Sequence, residues 1–321
     1  MPGSYERIHY GLRPAKAIER KMLCEAFQRL APFGAVKTYR YIGFGSTYFS
    51  DFILLHKTLG ISNMISLERD IVNKERFLFN RPFGCVRIKF GESNDILPAL
   101  NWNVRTILWL DYDGKLDGKA LADVKFACAS TLPGSVVIVT VNAQPEKAED
   151  IALDDLAEYR LQRLIGAVGK DKVPLDVEGK HLNAWGTATI SRRIILNQIQ
   201  ETLTQRNGGR DPGSRILFNQ LFHFRYADGA KMLTVGGILI DEGQTHLLNQ
   251  CAFNNLSFIE TDEEPYLIEA PNLTYREIRH LDAQLPCDDI AQLRVPAIPQ
   301  DDVMRYTRVY RYFPTFAETE A

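Results

Sequence analysis

Asp111, Asp113 and Lys115 stand at alternate positions directly behind "TILWL", the most apolar run of the chain. An acid that closes a strand buried on both faces should project past the end of the sheet, where open α/β sheets bind their ligands. Carboxylates and an amine held there can take the proton of a group that is becoming a nucleophile. Gly114 sits among them, so a solvated turn is the competing explanation.

Four further groups fall at similar places. Gly43-Phe44-Gly45-Ser46-Thr47 follows the apolar run "TYRYI". Glycines after a strand let the backbone approach a ligand and offer it N–H groups, although a tight turn without a ligand uses them equally well. Glu68 closes "NMISLE", about 20 residues beyond the glycines, where an acid can bind two ribose hydroxyls. Asp70 lies close behind it. In "GESNDILPAL" (residues 91–100), Ser93 and Asn94 are short polar side chains suited to an adenine edge, or to capping a helix that opens near Asp95. Asn142 is the polar group behind "SVVIVTV".

These groups need a frame that brings strand ends together. Short apolar runs at 38–44, 63–68, 85–91, 105–111 and 135–141 alternate with stretches of helical periodicity. That alternation predicts an α/β fold with a doubly wound, mostly parallel sheet. Further on, "RILFNQLFHFRYADGAKMLTVGGILID" has an Asp-Gly between two β-rich runs, the signal of a hairpin. It predicts an antiparallel pair closing a sheet of seven strands. The domain expectation is an N-terminal helical cap over 1–34, a Rossmann-like core over 35–241 with a helical insert at 144–190, and a C-terminal extension over 242–321. Thr274-x-x-Glu277 is a capping box that opens a helix in that extension.

Bulk properties narrow the function. Hydrophobic residues make up 45% of the 321 and charged residues 24%, as in a globular protein with a sizeable core. A formal net charge of −2 gives no global field for nucleic acid or an acidic membrane. The five cysteines are scattered, with no C-x-x-C pair, which argues against structural zinc and a disulfide framework. No apolar run approaches the roughly 18 residues of a membrane span, and "MPGSYERIHYGLRPAK" lacks the apolar stretch of a signal peptide. The expected location is cytoplasmic and reducing.

With these residues in place, the chain resembles the class I S-adenosylmethionine-dependent methyltransferases, and within them the small-molecule O-methyltransferases of the catechol type. "YIGFGSTYFS" is a loose counterpart of their glycine loop, "GESNDILPAL" a closer counterpart of their G-A-S-x-D-I-I-P-x-L stretch, and "WLD" matches their fourth-strand ending. The likeness covers about residues 36–142 plus the hairpin. It implies S-adenosylmethionine as cofactor, held by Gly43, Gly45, Ser46, Thr47, Glu68, Ser93, Asn94 and Asp111, with Asp111, Asp113 and Lys115 as catalytic candidates. Departures are equally specific. Tyr41 stands where those enzymes carry an acid before the loop. Their metal is held by a strand-four acid and an Asp-Asn pair, and here Asp111 and Asn142 match but Val141 replaces the middle acid. No metal is therefore expected, because a hard divalent ion loses one of its carboxylate ligands. Their lysine base lies three residues past the strand-four acid, whereas Lys115 lies four past Asp111.

Other features remain open. Lys16, Glu19 and Arg20 share nearly one helix face by i, i+3 and i+4 spacing. They read as a solvated face, with a cofactor lid or an anion site as the alternative. "MRYTRVYRYF" interleaves arginines with tyrosines, which suits an edge strand, a partner-binding segment or single-stranded nucleic acid; the net charge disfavours the last. His223, between Phe222 and Phe224, reads as structural. Three functions stay in play: a methyltransferase acting on oxygen with an unidentified acceptor, a cofactor- or nucleotide-binding module acting through a partner, and a nicotinamide enzyme. The last is disfavoured by the single closing hairpin and the absence of G-x-G-x-x-G. Homo-oligomerisation or a protein partner would use the C-terminal extension.

Overall fold

A computed structural model of the chain describes residues 13–147, 153–290 and 293–314. In chain order its elements are α1 (Pro14–Gln28), β1 (Arg40–Gly43), α2 (Ser50–Leu59), β2 (Asn63–Glu68), α3 (Lys74–Phe79), β3 (Val86–Phe90), α4 (Ser93–Ile96), β4 (Thr106–Asp111), α5 (Gly118–Ser130) and β5 (Ser135–Asn142). These are followed by α6 (Leu153–Val168), α7 (Gly186–Arg206), β6 (Ile216–Asp228), β7 (Ala230–Asp241), α8 (Thr245–Gln250), β8 (Tyr266–Ile268), α9 (Tyr275–Asp282) and α10 (Gln300–Val309). Residues 148–152 of the expected helical insert lie outside the described residues.

The strands form one sheet in the order β3-β2-β1-β4-β5-β7-β6-β8. From β3 to β5 all neighbours are parallel, and β7 runs antiparallel to β5 and to β6. The β6–β7 hairpin turns at Asp228-Gly229, where Gly229 takes a φ of +92° that a side chain would disfavour. An eighth strand was not foreseen: three residues of the C-terminal extension pair in parallel with β6 and add an edge to the expected seven. The chain leaves β1 towards β2 and β3, then returns to place β4 on the other side of β1. That reversal opens a crevice at the carboxyl ends of β1 and β4.

Each face of the sheet is covered. Alternate residues of β4 go to opposite cores, Ile107 and Trp109 to one and Leu108 and Leu110 to the other. This is why "TILWL" is apolar without alternation. The first core packs Ile18, Met22 and Phe27 of α1 and Phe52 of α2 onto the sheet, together with Phe253 and Phe258 beyond β7. The second packs Val124 of α5 and Ile194 and Ile199 of α7.

"MRYTRVYRYF" is mostly helix, not an edge strand. Val303, Tyr306 and Thr307 lie on one buried face of α10 at helical spacing. Tyr306 donates to Asp282 at 2.7 Å, and Arg311 pairs with Glu25 at 3.1 Å. His223 is fully buried, and burial with Arg192 and Arg225 nearby pulls its pKa down to about 4, so it is neutral.

Candidate active site

The crevice is lined by Arg20 of α1, by Phe44, Gly45 and Ser46 behind β1, by Ser50 and Asp51 opening α2, and by Asp111 and Asp113 behind β4. Its enclosed part measures about 40 Å³, room for a small polar group. The glycine loop that floors it is tightly specified. A Cβ on Gly45 would lie 2.5 Å from the Phe49 ring and 2.6 Å from Ser66 Oγ, so packing within the loop already requires glycine there. Ser46 and Phe49 take φ of +49° and +47°, a left-handed conformation that costs a non-glycine residue about 1 kcal/mol or more. Strain of this kind concentrates where function needs a fixed backbone.

Glu68 holds that loop from the next strand. Its Oε1 accepts from Gly45 N–H at 2.9 Å and from Ser66 Oγ at 2.6 Å. Burial pushes its pKa up to about 7, against the hydrogen bonds that favour the ionised form. Thr47, in the loop, is also buried.

Tyr41, standing where the resemblance implies an acid, is fully buried and donates its hydroxyl to Asp51. The carboxylate therefore reaches this position from α2 instead of β1. Burial pushes the Asp51 carboxyl above the usual range, and the nearby Arg20 guanidinium pulls it back. The sequence reading passed over Asp51; the signal was Tyr41 in an otherwise acidic position, with an acid opening the next helix.

The face of α1 is not solvated as the sequence suggested. Lys16 is 1% exposed and Glu19 0%, because both side chains turn inward to bond Asp111, Tyr226 and Thr234. Lys16 Nζ donates to Asp111 Oδ1 at 2.8 Å and to Tyr226 at 3.1 Å, pairs with Glu19 at 2.7 Å, and stands 4.4 Å from the centre of the Trp109 ring. Glu19 also accepts from Thr234 and from Tyr226. Asp228, at the hairpin tip, accepts the first free N–H groups of α1 from Ala15 and Lys16, at 3.3 and 2.9 Å. So α1 is bolted to β4, β6 and β7 by charge, and Asp111 is one end of a buried ion-pair network.

Ser93 and Asn94 both donate to Asp123 of α5, which also accepts from Tyr112 at 2.6 Å. Asn94 further donates to the Lys119 carbonyl. These bonds anchor α4 and the β4–α5 loop to α5.

A second, larger cavity of about 550 Å³ lies on the other side of that loop. Lys115, Leu116 and Asp117 form its near wall, with Asn142 behind β5, Arg160 and Leu164 of α6, and Thr187 and Ser191 of α7 around it. Lys115 donates to the Gln144 carbonyl at 2.5 Å and pairs with Glu146 at 3.3 Å. Thus Asp111 and Asp113 face one cavity and Lys115 the other; the three catalytic candidates are split by their own loop.

A Rossmann-like sheet with its antiparallel closing pair, and an acid-lined crevice at the β1–β4 reversal, defines a class I methyltransferase arrangement. Residues 8–321 match the family described as "Putative O-methyltransferase", and the chain belongs to that family. Its class is accordingly that of the S-adenosylmethionine-dependent methyltransferases. No curated protein matches the chain. Among solved structures it is similar to one from Klebsiella pneumoniae described in the family's own words, at 14% identity over 70% of this chain and 79% of that one, TM-score 0.38. It is similar to the O-methyltransferase from Bacillus cereus in complex with SAH, at 14% identity over 70% and 81%, TM-score 0.37. A third is the O-methyltransferase TomG from Streptomyces achromogenes, involved in tomaymycin synthesis and in complex with SAM, at 14% identity over 67% and 79%, TM-score 0.36.

Proposed function

We propose that the protein transfers a methyl group from S-adenosylmethionine to a hydroxyl of an acceptor bound in the larger cavity. The observation that carries this reading is the single loop, residues 111–117, that lines the crevice with Asp111 and Asp113 and the cavity with Lys115 and Asp117. Two cavities separated by one loop suit a donor on one side and an acceptor on the other.

The crevice fits the cofactor chemically. It offers carboxylates for a cationic ligand and a buried guanidinium nitrogen, Arg20 Nε, that has no hydrogen-bond partner among the described residues. The cofactor group comprises Gly43, Gly45, Ser46 and Thr47 in the loop, Glu68 clamping it, Ser93 and Asn94 fixing α4, and Asp111. Bound there, S-adenosylmethionine supplies a methyl already activated on a sulfonium. Orientation then provides most of the acceleration. Asp111, paired with Lys16, can meet positive charge, while Asp113, or Lys115 once it has given up its own proton, takes the acceptor proton. A divalent metal is not part of the reading, since Val141, fully buried, offers no oxygen between Asp111 and Asn142.

Calorimetry with S-adenosylmethionine, S-adenosylhomocysteine and NAD tests the donor. Micromolar binding of the first two, roughly −8 kcal/mol, is expected; binding of NAD alone would replace this reading with a redox one. Transfer of labelled methyl to a panel of hydroxyl compounds, with and without EDTA, tests the acceptor chemistry and the metal. Activity abolished by EDTA and restored by magnesium would overturn the metal-free mechanism.

A further inference from the structure

We propose, on the reading that the larger cavity is the acceptor site, that the acceptor is a small hydroxy acid. Its carboxylate is held by Arg160 and Arg163 of α6, and its hydroxyl lies at the 111–117 loop.

Three observations carry this assignment. The first is the balance of charge on the cavity wall. Three cations line it, Lys115, Arg160 and Arg163, with two acids, Asp117 and Glu146. Both acids are already engaged. Glu146 pairs with Lys115 at 3.3 Å. Asp117 accepts from Ala120 N–H at 2.8 Å as the N-cap of α5, where the helix end favours negative charge. The two guanidiniums are the charge left over. The second is what those guanidiniums touch. Arg160 donates from Nε to the Glu146 carbonyl at 3.0 Å, a bond that orients the group without neutralising it. Among the described residues no salt bridge of 4.0 Å or less joins Arg160 or Arg163 to an acid. They stand at i and i+3 on α6 and so share a face. Planar donors set side by side are the complement of a carboxylate. Arg160 is half-buried and Arg163 exposed, so an anion bound there keeps part of its water. The third is the rest of the wall. Leu116, Leu164 and Leu182 make part of it apolar, and Thr187 adds a buried hydroxyl without a partner among the described residues. The volume, about 550 Å³, is that of a small-molecule pocket. A compact carbon skeleton with one anionic end and one hydroxyl matches this combination; a cationic acceptor would meet like charge. Glu146 links the two ends, its carboxylate on Lys115 of the loop and its carbonyl on Arg160 of α6. One small molecule can therefore reach both.

The experiment titrates matched pairs into the full chain loaded with S-adenosylhomocysteine. Salicylate, mandelate and caffeate are each compared with their methyl esters, which keep the skeleton and hydroxyl and lose the charge. Phenyl phosphate serves as an anion of another kind. The proteins are wild type, Arg163→Gln, Arg163→Lys and Arg160→Gln, with thermal melts of all four. The expected result is at least one acid bound tenfold or more tighter than its ester by the wild type. In Arg163→Gln that preference should fall at least fivefold while ester affinity stays within twofold, and Arg163→Lys should recover part of it. Arg163 is exposed, so its variants should melt as wild type does. Phenyl phosphate bound more tightly than every acid would put a phosphate in place of the carboxylate and overturn the proposal. So would acids that bind no tighter than their esters, or a preference that survives both glutamine variants. Esters that bind while acids gain nothing would leave the cavity as the acceptor site and remove only the acid. If S-adenosylhomocysteine itself does not bind the wild type, the methyltransferase reading falls first and the hydroxy acid with it, a result distinct from the others.

Discussion

The two cavities on either side of the 111–117 loop are built in opposite ways. The crevice is narrow and cross-tied: Glu68 to the glycine loop, Tyr41 to Asp51, Lys16 to Asp111 and Glu19. The cavity is more than ten times larger, 550 against 40 Å³, and is walled largely by α6, α7 and the segment between them. A site whose polar groups are fixed in advance by the fold needs little reorganisation to stabilise charge. A roomy site walled by helices outside the sheet can change its ligand without disturbing the sheet. Under the proposed function, the constant part of the chemistry belongs to the crevice and the variable part to the cavity.

The largest effect is expected where the crevice is most tied. Lys16→Met would remove the only cation bonded to both Glu19 and Asp111 among the described residues and leave two carboxylates facing each other around Tyr226. Breaking a buried ion pair from one side costs about 3–5 kcal/mol. Urea unfolding should show a loss of that order, with the Glu19→Gln, Lys16→Met double variant recovering part of it. A loss below about 1 kcal/mol would mean that the network is not what holds α1.

Glu68 gives a pH test of the same rigidity. Its folded pKa, about 7, lies above the ordinary value of 4.5, so the native state binds the proton more tightly than the unfolded chain does. Its contribution to stability is fully present below the unfolded pKa and is lost as pH rises through 7. The loss between pH 4.5 and pH 7 is on the order of 3 kcal/mol. Glu68→Gln should lack this slope: its stability relative to wild type should rise between pH 5 and pH 7.5. A parallel pH dependence in the two proteins would show that burial does not favour the protonated form of Glu68 in the fold. A ligand whose hydroxyls donate to the carboxylate would favour its ionised form, so cofactor binding at pH 6 should release protons.

Much of this architecture was legible in the sequence. The parallel strands were visible because each is a short apolar run, and the hairpin because Asp228-Gly229 admits few other structures. The closure of β4 by Asp111 followed from the same reasoning. What escaped was long-range. Nothing local distinguishes a buried Lys16 from a solvated one, since its partners Asp111 and Tyr226 lie 95 and 210 residues away. The bonds of Ser93 and Asn94 to Asp123, about 30 residues on, were equally out of local view. The arginine–tyrosine segment was ambiguous because alternation also satisfies helical spacing when every third or fourth residue is apolar.

Asp111 decides whether the crevice is catalytic or only structural. Its side chain is 24% exposed, with one oxygen on Lys16, and it lines the crevice with Arg20 and Ser50. Asp111→Asn keeps a hydrogen-bond acceptor for Lys16, which also retains Glu19, so the melting temperature should move by only a few degrees. Methyl transfer should fall about a hundredfold, a typical loss for one acid–base or charge-stabilising group. Asp113→Asn, on the exposed turn, is the paired variant. Full activity in Asp111→Asn with an inactive Asp113→Asn would shift the assignment by two residues and leave the cleft in place.

The smallest effect belongs to the cavity, and it carries the other half of the comparison. Thr187, in the first turn of α7, lines that cavity and has a buried hydroxyl without a partner among the described residues. Ser191 follows one turn later and lines it too. An unsatisfied buried hydroxyl costs stability, by about 1 kcal/mol or more. Thr187→Val keeps the shape and removes that cost, so the unliganded protein should melt higher by about 1–2 °C. S-adenosylhomocysteine affinity should not change, because Thr187 is not part of the crevice. Turnover of an acceptor found by screening should fall about tenfold in kcat/KM, as expected when one hydrogen bond to the substrate is lost. Three readouts therefore point in three directions: stability up, cofactor binding level, acceptor turnover down. A destabilised Thr187→Val would mean that the hydroxyl is already satisfied within the protein. Weakened cofactor binding would mean that the two cavities are one site, and the division of labour across the 111–117 loop would be lost.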